Sequence, residues 1–158
     1  LNKAVKENVK TYLSQYRLMT DAINIRDGYM INIGVKFAII AQRGFNKNEV
    51  LFNCVETIKN HFDIKKWQFN QPIITSDIAY KISLVDGVAS VVPPINDNPQ
   101  KQLVLIENKY KYSEGYSGYV YDLQSATKDG IIYPSLDPSI FEVKFPNSDI
   151  EGRVVGDI

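Results

Sequence analysis

The stretch Tyr29-Met30-Ile31-Asn32-Ile33-Gly34-Val35-Lys36-Phe37-Ala38-Ile39-Ile40-Ala41-Gln42 decides how this chain folds. Ile31, Ile33, Val35, Phe37 and Ile39 stand at every second position, with Asn32, Gly34 and Lys36 between them. Successive side chains of an extended strand point to opposite faces, so this period predicts a strand with one buried and one partly wet face. Ala38 and Ile40 make the far end apolar on both sides, which predicts that this end lies deeper in a sheet. Flanking helices are expected to cover the apolar face.

Downstream, Asn46 opens a helix with several agreeing signals: a capping side chain, Glu49 three residues later, and Phe45 and Val50 placed to form a staple. The helix should run to Phe62, with Val50, Leu51, Cys54, Val55, Ile58 and Phe62 on one side. Residues 64–74 are irregular, and their Trp67 and Phe69 either plug the edge of the core or meet a partner. Ser76 is placed to cap a second helix carrying Ile78, Ile82 and Val85, which Gly87 ends. Val88 to Val92 is the next strand, stopped by Pro93-Pro94. Strand, helix, helix, strand in that order predicts an α+β domain whose two strands share a sheet with the helices on one face.

Upstream, Val5, Val9, Tyr12, Leu13 and Tyr16 make one stripe of a helix over Asn2 to Arg17. Such a stripe either packs on its own domain or serves as an interaction face. A short strand at Ile23–Arg26 and a turn at Asp27-Gly28 would lead into the long strand.

The second half differs in composition. Residues 95–102 read as an exposed loop and Leu103 to Glu107 as a strand. Tyr110, Tyr112, Tyr116, Tyr119, Tyr121 and Tyr133 are six of the ten tyrosines, and Gly115 and Gly118 lie among them. Asp129-Gly130 marks a turn, and Ile140 to Phe145 a short strand. The tail from Pro146 to Ile158 has few apolar residues and is expected to fray or lie on a neighbour. Residues 1–94 therefore read as an α+β core with an N-terminal helix. Residues 95–158 read as a β-rich, Tyr-rich extension packed on that core or on a neighbouring subunit.

Composition narrows the function. The 158 residues carry eighteen basic and eighteen acidic side chains, for a net charge of zero. That balance disfavours a general nucleic-acid or membrane-surface binder and suits a subunit that assembles. The single cysteine, Cys54, excludes an internal disulfide and a cysteine zinc cluster, and its place in a helical stripe makes it a small core residue. His61, the one histidine, has no partner for a metal site and reads as an exposed helix-end residue. No phosphate loop or nucleophile elbow occurs, and no spacing singles out an acid–base pair such as Asp137 with Glu142 or Asp122 with Asp129. No enzyme activity, cofactor or metal is expected. No apolar run reaches the length of a membrane span, and no signal peptide opens the chain, which points to synthesis in the cytosol. A start at Leu1, within a helical pattern, suits a piece of a longer protein.

Three segments carry a resemblance. The first is Tyr12-Leu13-Ser14-Gln15-Tyr16-Arg17-Leu18-Met19-Thr20-Asp21, followed by Ile23, Asp27-Gly28 and Ile31 to Val35. The second is Trp67-Gln68-Phe69-Asn70-Gln71-Pro72-Ile73, leading to Ser76-Asp77-Ile78. The third is Gly130-Ile131-Ile132-Tyr133-Pro134-Ser135-Leu136-Asp137-Pro138-Ser139-Ile140-Phe141-Glu142-Val143-Lys144, with Asp149, Ile150, Gly152, Arg153 and Val154 after it. Together they resemble the C-terminal part of the baseplate wedge proteins of T-even-type contractile-tailed phages, within the baseplate J class. The match spans nearly the whole chain and lapses over residues 95–102 and the Pro93-Pro94 before them.

The resemblance implies a non-enzymatic structural subunit that links wedges into an inner ring, by self-association and by contacts with other wedge proteins. It implies residence in the virion, in the tail baseplate, after assembly in the host cytoplasm. Neither a membrane nor a nucleic acid is an expected partner. Aromatic residues favour protein interfaces. Tyr112, Tyr116, Tyr119, Tyr133 and Phe141 are accordingly the expected interface residues, with Tyr133 and Phe141 as anchors. The alternative is a ligand-binding module for single-stranded nucleic acid or a glycan through the surface between Tyr110 and Tyr121.

Overall fold

The computed structural model describes residues 29–63, 65–68, 70–95, 102–135 and 139–158. The helix expected over Asn2 to Arg17, the strand at Ile23–Arg26, the Asp27-Gly28 turn and Phe69 lie outside the described residues. The fold is α+β.

Strand β1 (Tyr29–Ala41) is the axis. Its odd-numbered side chains Ile31, Ile33, Val35, Phe37 and Ile39 are all buried, as the period of two requires. Helix α1 (Lys47–His61) begins where Asn46 Oδ1 accepts from the amides of Asn48 and Glu49, at 3.0 and 3.2 Å. That bond satisfies donors that a helix start otherwise leaves unpaired. The helix buries Val50, Cys54 and Ile58 against the odd face of β1. Phe62 follows it and is buried with Trp67, ring centroids 4.9 Å apart. Trp67 thus plugs the core.

Strand β2 (Ile73–Ile74) leads directly into helix α2 (Thr75–Ser83). Ser76 is not its cap, contrary to expectation. The helix starts two residues earlier, with Ile74 in the cap position, because Thr75 is tied to the chain at Gly130, whose carbonyl accepts from both its amide and its hydroxyl. Ile78, Ala79 and Ile82 face inward and Val85 is half-buried. Gly87, at φ +92°, turns the chain into strand β3 (Val88–Val92). A Cβ there would lie 2.6 Å from Val50 and 2.7 Å from Phe45, so the turn needs glycine for space as well as for conformation.

The remaining strands show why one long strand suffices to organise the sheet. Strand β3 and strand β4 (Val104–Asn108) both run antiparallel to β1, on residues 38–41 and 33–37 respectively. Strand β7 (Ser139–Glu142) and strand β8 (Ile150–Asp157) run parallel to it, on residues 29–32 and 35–41. Residues 35–37 pair with β4 and β8 at once, so these two strands flank β1 on opposite edges. Between β7 and β8 the chain leaves the edge for a single turn, helix α4 (Pro146–Asp149), and rejoins it. Helix α3 (Leu123–Ala126) leads into strand β5 (Thr127–Lys128), which forms a hairpin with strand β6 (Ile131–Ile132). Asp129 and Gly130 both have positive φ, the geometry of a two-residue hairpin turn. β6 also pairs with β2, making a second, three-stranded sheet.

β4, β7 and β8, all from residues beyond 94, belong to the sheet built on β1. One further expectation is corrected here. The C-terminal tail neither frays nor needs a neighbour: β8 lies along β1 and packs against α1. Its apolar content is low because the inward positions between Ile150 and Val154 include Gly152, which sits against the Phe37 ring. Backbone pairing to a buried strand holds it, together with Ile150 in the core and Val154 packed against that core.

Candidate interaction surface

The tyrosine-rich segment is a loop strapped across the sheet. It leaves β4 at Asn108, makes a short 3-10 turn at Tyr112–Glu114, and passes through Gly115 at φ +94°. Buried groups on the sheet hold it in place. Asn32 stands near the start of β1, on the face expected to be wet, yet it is only 1% exposed. Its Oδ1 accepts from Ser117 N at 2.8 Å and its Nδ2 donates to Glu142 Oε1 at 2.9 Å. Its backbone carbonyl accepts from Lys109 N at 2.9 Å. Ser117 Oγ donates to the Met30 carbonyl at 2.5 Å. Asn108 clamps the far end, accepting from Tyr121 N at 3.0 Å and donating to the Tyr121 carbonyl at 2.7 Å. A buried amide that uses both its donor and its acceptor fixes the backbone it binds.

This scaffold sorts the expected interface residues. Tyr112, Tyr119 and Tyr133 are exposed, Tyr112 the most at 81%. Tyr110 and Val120 are exposed beside them. Tyr116 and Phe141 are buried in the chain's own interior, at 7% and 2% exposure, so neither presents a surface to a neighbour in this fold. Phe141 lies on β7, in register with Ile31, and packs against Tyr121 with the rings tilted by 57° and their centroids 5.8 Å apart. Tyr121 in turn donates its hydroxyl to the Tyr133 carbonyl at 2.7 Å.

Tyr116 points the other way, into a pocket closed by Phe145, ring centroids 5.4 Å apart. Its hydroxyl donates to Asp149 Oδ1 at 2.7 Å. Lys144 donates to the Gly115 carbonyl beside it. Asp149 is buried, and its Oδ2 has no hydrogen-bond partner among the described residues. Burial, then the bond to Asp149 and its charge, with a smaller push from Glu114, raise the Tyr116 pKa from 10.0 to about 12. An unfolded tyrosine titrates near 10. The folded chain therefore holds this proton more tightly than the unfolded chain does. The stabilisation is complete below about pH 10 and is lost as pH rises from there to about 12. Tyr116→Phe is expected to lower stability at neutral pH by about 1–3 kcal/mol, because it strands the Asp149 carboxylate. It should also flatten the fall in stability between pH 10 and 12. Urea unfolding across that pH series checks both effects, and an unchanged slope would contradict the assignment.

Nothing else in the described residues competes as a chemical site. Cys54 is fully buried, and burial pushes its thiol up to about 12, so it is inert. His61 is half-buried rather than exposed. It lies against Phe62 and Trp67, with Lys81 Nζ 2.9 Å from its Nδ1. Burial and then the Lys81 charge push its pKa down, partly offset by Asp77. An open groove of about 440 Å³ beside the end of α1 is lined by Lys59, Asp63, Glu142 and Lys144, charges of both signs with no nucleophile among them. Among the described residues no His, Cys, Asp or Glu cluster is placed to hold a metal ion. Among them, too, no helix is long and apolar enough to cross a membrane. No family model, no curated protein and no solved structure matches the chain.

Proposed function

We propose that the chain is a structural subunit of a contractile phage tail baseplate, joining copies of itself and other wedge proteins into the inner ring. Its place is then the virion, after assembly in the host cytoplasm, and it carries no catalytic role and no cofactor. The resemblance in the three sequence segments supports the family. The observation that carries the assembly role is the exposure of Tyr110, Tyr112 and Tyr119 on a loop held by part-buried hydrogen bonds, with Tyr133 exposed just after β6. Aromatic side chains held rigid before binding lose little freedom on contact, which favours protein–protein association.

The charge around this face speaks against the nucleic-acid alternative. Lys109 pairs with Glu107 at 3.9 Å and Lys111 with Glu114 at 3.8 Å, so the lysines between the tyrosines are already neutralised. A strand of phosphates needs a clearly basic track. The test is the double variant Tyr112→Ala/Tyr119→Ala, measured by sedimentation at rising concentration and by titration with a single-stranded oligonucleotide and glycans. The expected result is higher-order association shifted to at least about tenfold higher concentration, as loss of interface aromatics entails. Unchanged association together with lost ligand binding would overturn the proposal in favour of a ligand-binding module.

A further inference from the structure

Among the described residues β8 is an edge strand, paired with β1 along one side and with no strand along the other. Open edges offer unpaired backbone groups and are normally blunted. The outward side chains of this one are Glu151 and Arg153, both exposed, with Gly152 between them, and Ile150 and Val154 point inward. We propose that residues 150–154 are a self-recognition edge, through which two copies of the chain join antiparallel about Gly152. This assignment rests on the self-association reading above and adds to the exposed tyrosines a second contact surface, one that joins two copies of the chain.

Register selects the pairing. In an antiparallel pair centred on Gly152, Glu151 lies opposite the partner's Arg153 and Arg153 opposite the partner's Glu151. Ile150 then meets the partner's Val154 on the other face. Opposite charges directly across a ladder stabilise it and like charges destabilise it. A pair centred on Glu151 or on Arg153 sets like charges face to face, and so does a parallel in-register pair. Among these alignments, the one about Gly152 satisfies the charges, and it is the one a twofold axis generates, with the same patch on both copies. The ladder to β1 shifts register between Val154 and Gly156, and such a bulge bends the strand and ends the flat stretch there. The charges are free enough to be shared. Glu151 sits 3.8 Å from Lys36 through one oxygen, and Arg153 spends one nitrogen on the Pro94 carbonyl at 2.8 Å. A carboxylate and a guanidinium each keep further bonding positions.

The experiment is a charge swap on the whole chain, read as solution mass across a concentration series. E151R alone and R153E alone each put like charges opposite one another in the homodimer. Each should raise the dimer dissociation constant at least about tenfold. Mixing the two variants restores both opposite pairs in a heterodimer, and the double variant E151R/R153E restores them in a homodimer. Both should return to within about threefold of the parent, well under one decade of affinity. The double variant keeps an arginine beside Lys36, so its recovery excludes a mere fault in the single chain. If the single variants associate like the parent, or if neither the mixture nor the double variant recovers, the edge assignment fails while self-association stands. If the parent is monomeric at every concentration, both fail together.

Discussion

Phe141→Ala is expected to lower the stability of the chain by about 3–5 kcal/mol, the cost of emptying a large aromatic site in a packed core. At about 2–4 °C per kcal/mol for a chain of this size, the midpoint of thermal unfolding should fall by about 6–20 °C. The expectation follows from position. Phe141 is 2% exposed, in register with Ile31 on the central strand, and belongs to the same buried cluster as Val35, Phe37 and Ile39. Tyr133→Ala is the control: its ring is 47% exposed, and its backbone bonds to Ala126 and Tyr121 survive truncation, so the cost should stay within about 0.5 kcal/mol. Thermal and urea unfolding of the two variants measure the difference. A Phe141→Ala chain that unfolds like the parent but no longer associates would return Phe141 to the interface.

The second large effect is expected at Gly152. Valine normally favours a strand over glycine by up to about 1 kcal/mol. Here the sign should reverse. A Cβ at this position runs into the ring of Phe37, which is itself 1% exposed and has nowhere to move. Overpacking of this kind costs about 1–3 kcal/mol, and a β-branched side chain lies at the upper end. Adding Phe37→Leu should recover part of the loss, since the two positions share one volume and are not additive. Urea unfolding of Gly152→Val, with and without Phe37→Leu, checks this. A stabilised Gly152→Val chain would mean that β8 does not lie on β1 as described.

These two positions also show where the sequence stops being legible. β1 was readable because its odd positions are all large and apolar over five alternations. The start of α1 was readable because Asn46 is a local signal that needs no tertiary partner. β3, closed by Pro93-Pro94, and the Asp129-Gly130 hairpin belong to the same kind. β8 was not readable. The side chain that fills its inner position at Gly152 is Phe37, supplied by a residue remote in sequence. A strand whose packing is contributed by its neighbour looks polar when taken alone. The start of α2 was misplaced for a similar reason, because Thr75 is fixed by the distant Gly130 carbonyl rather than by a local cap.

The residues expected at an interface divide on the same principle. Spacing could not tell that Tyr116 and Phe141 turn inward while Tyr112, Tyr119 and Tyr133 stay out. That choice depends on Asp149 and Phe145 for Tyr116 and on the pairing of β7 with β1 for Phe141. Asn32 carried a usable signal, a lone amide within an apolar alternation, and such a residue in a central strand implies a buried polar contact. The partner it holds, Ser117, lies in the tyrosine loop. That contact makes the exposed tyrosines a fixed surface rather than a loose loop.

We propose that this chain works by associating with itself. Light scattering of the unaltered chain across a concentration series is the decisive measurement. The expected result is a mass rising from one chain to two or more as concentration increases. A mass that stays at one chain throughout would contradict it.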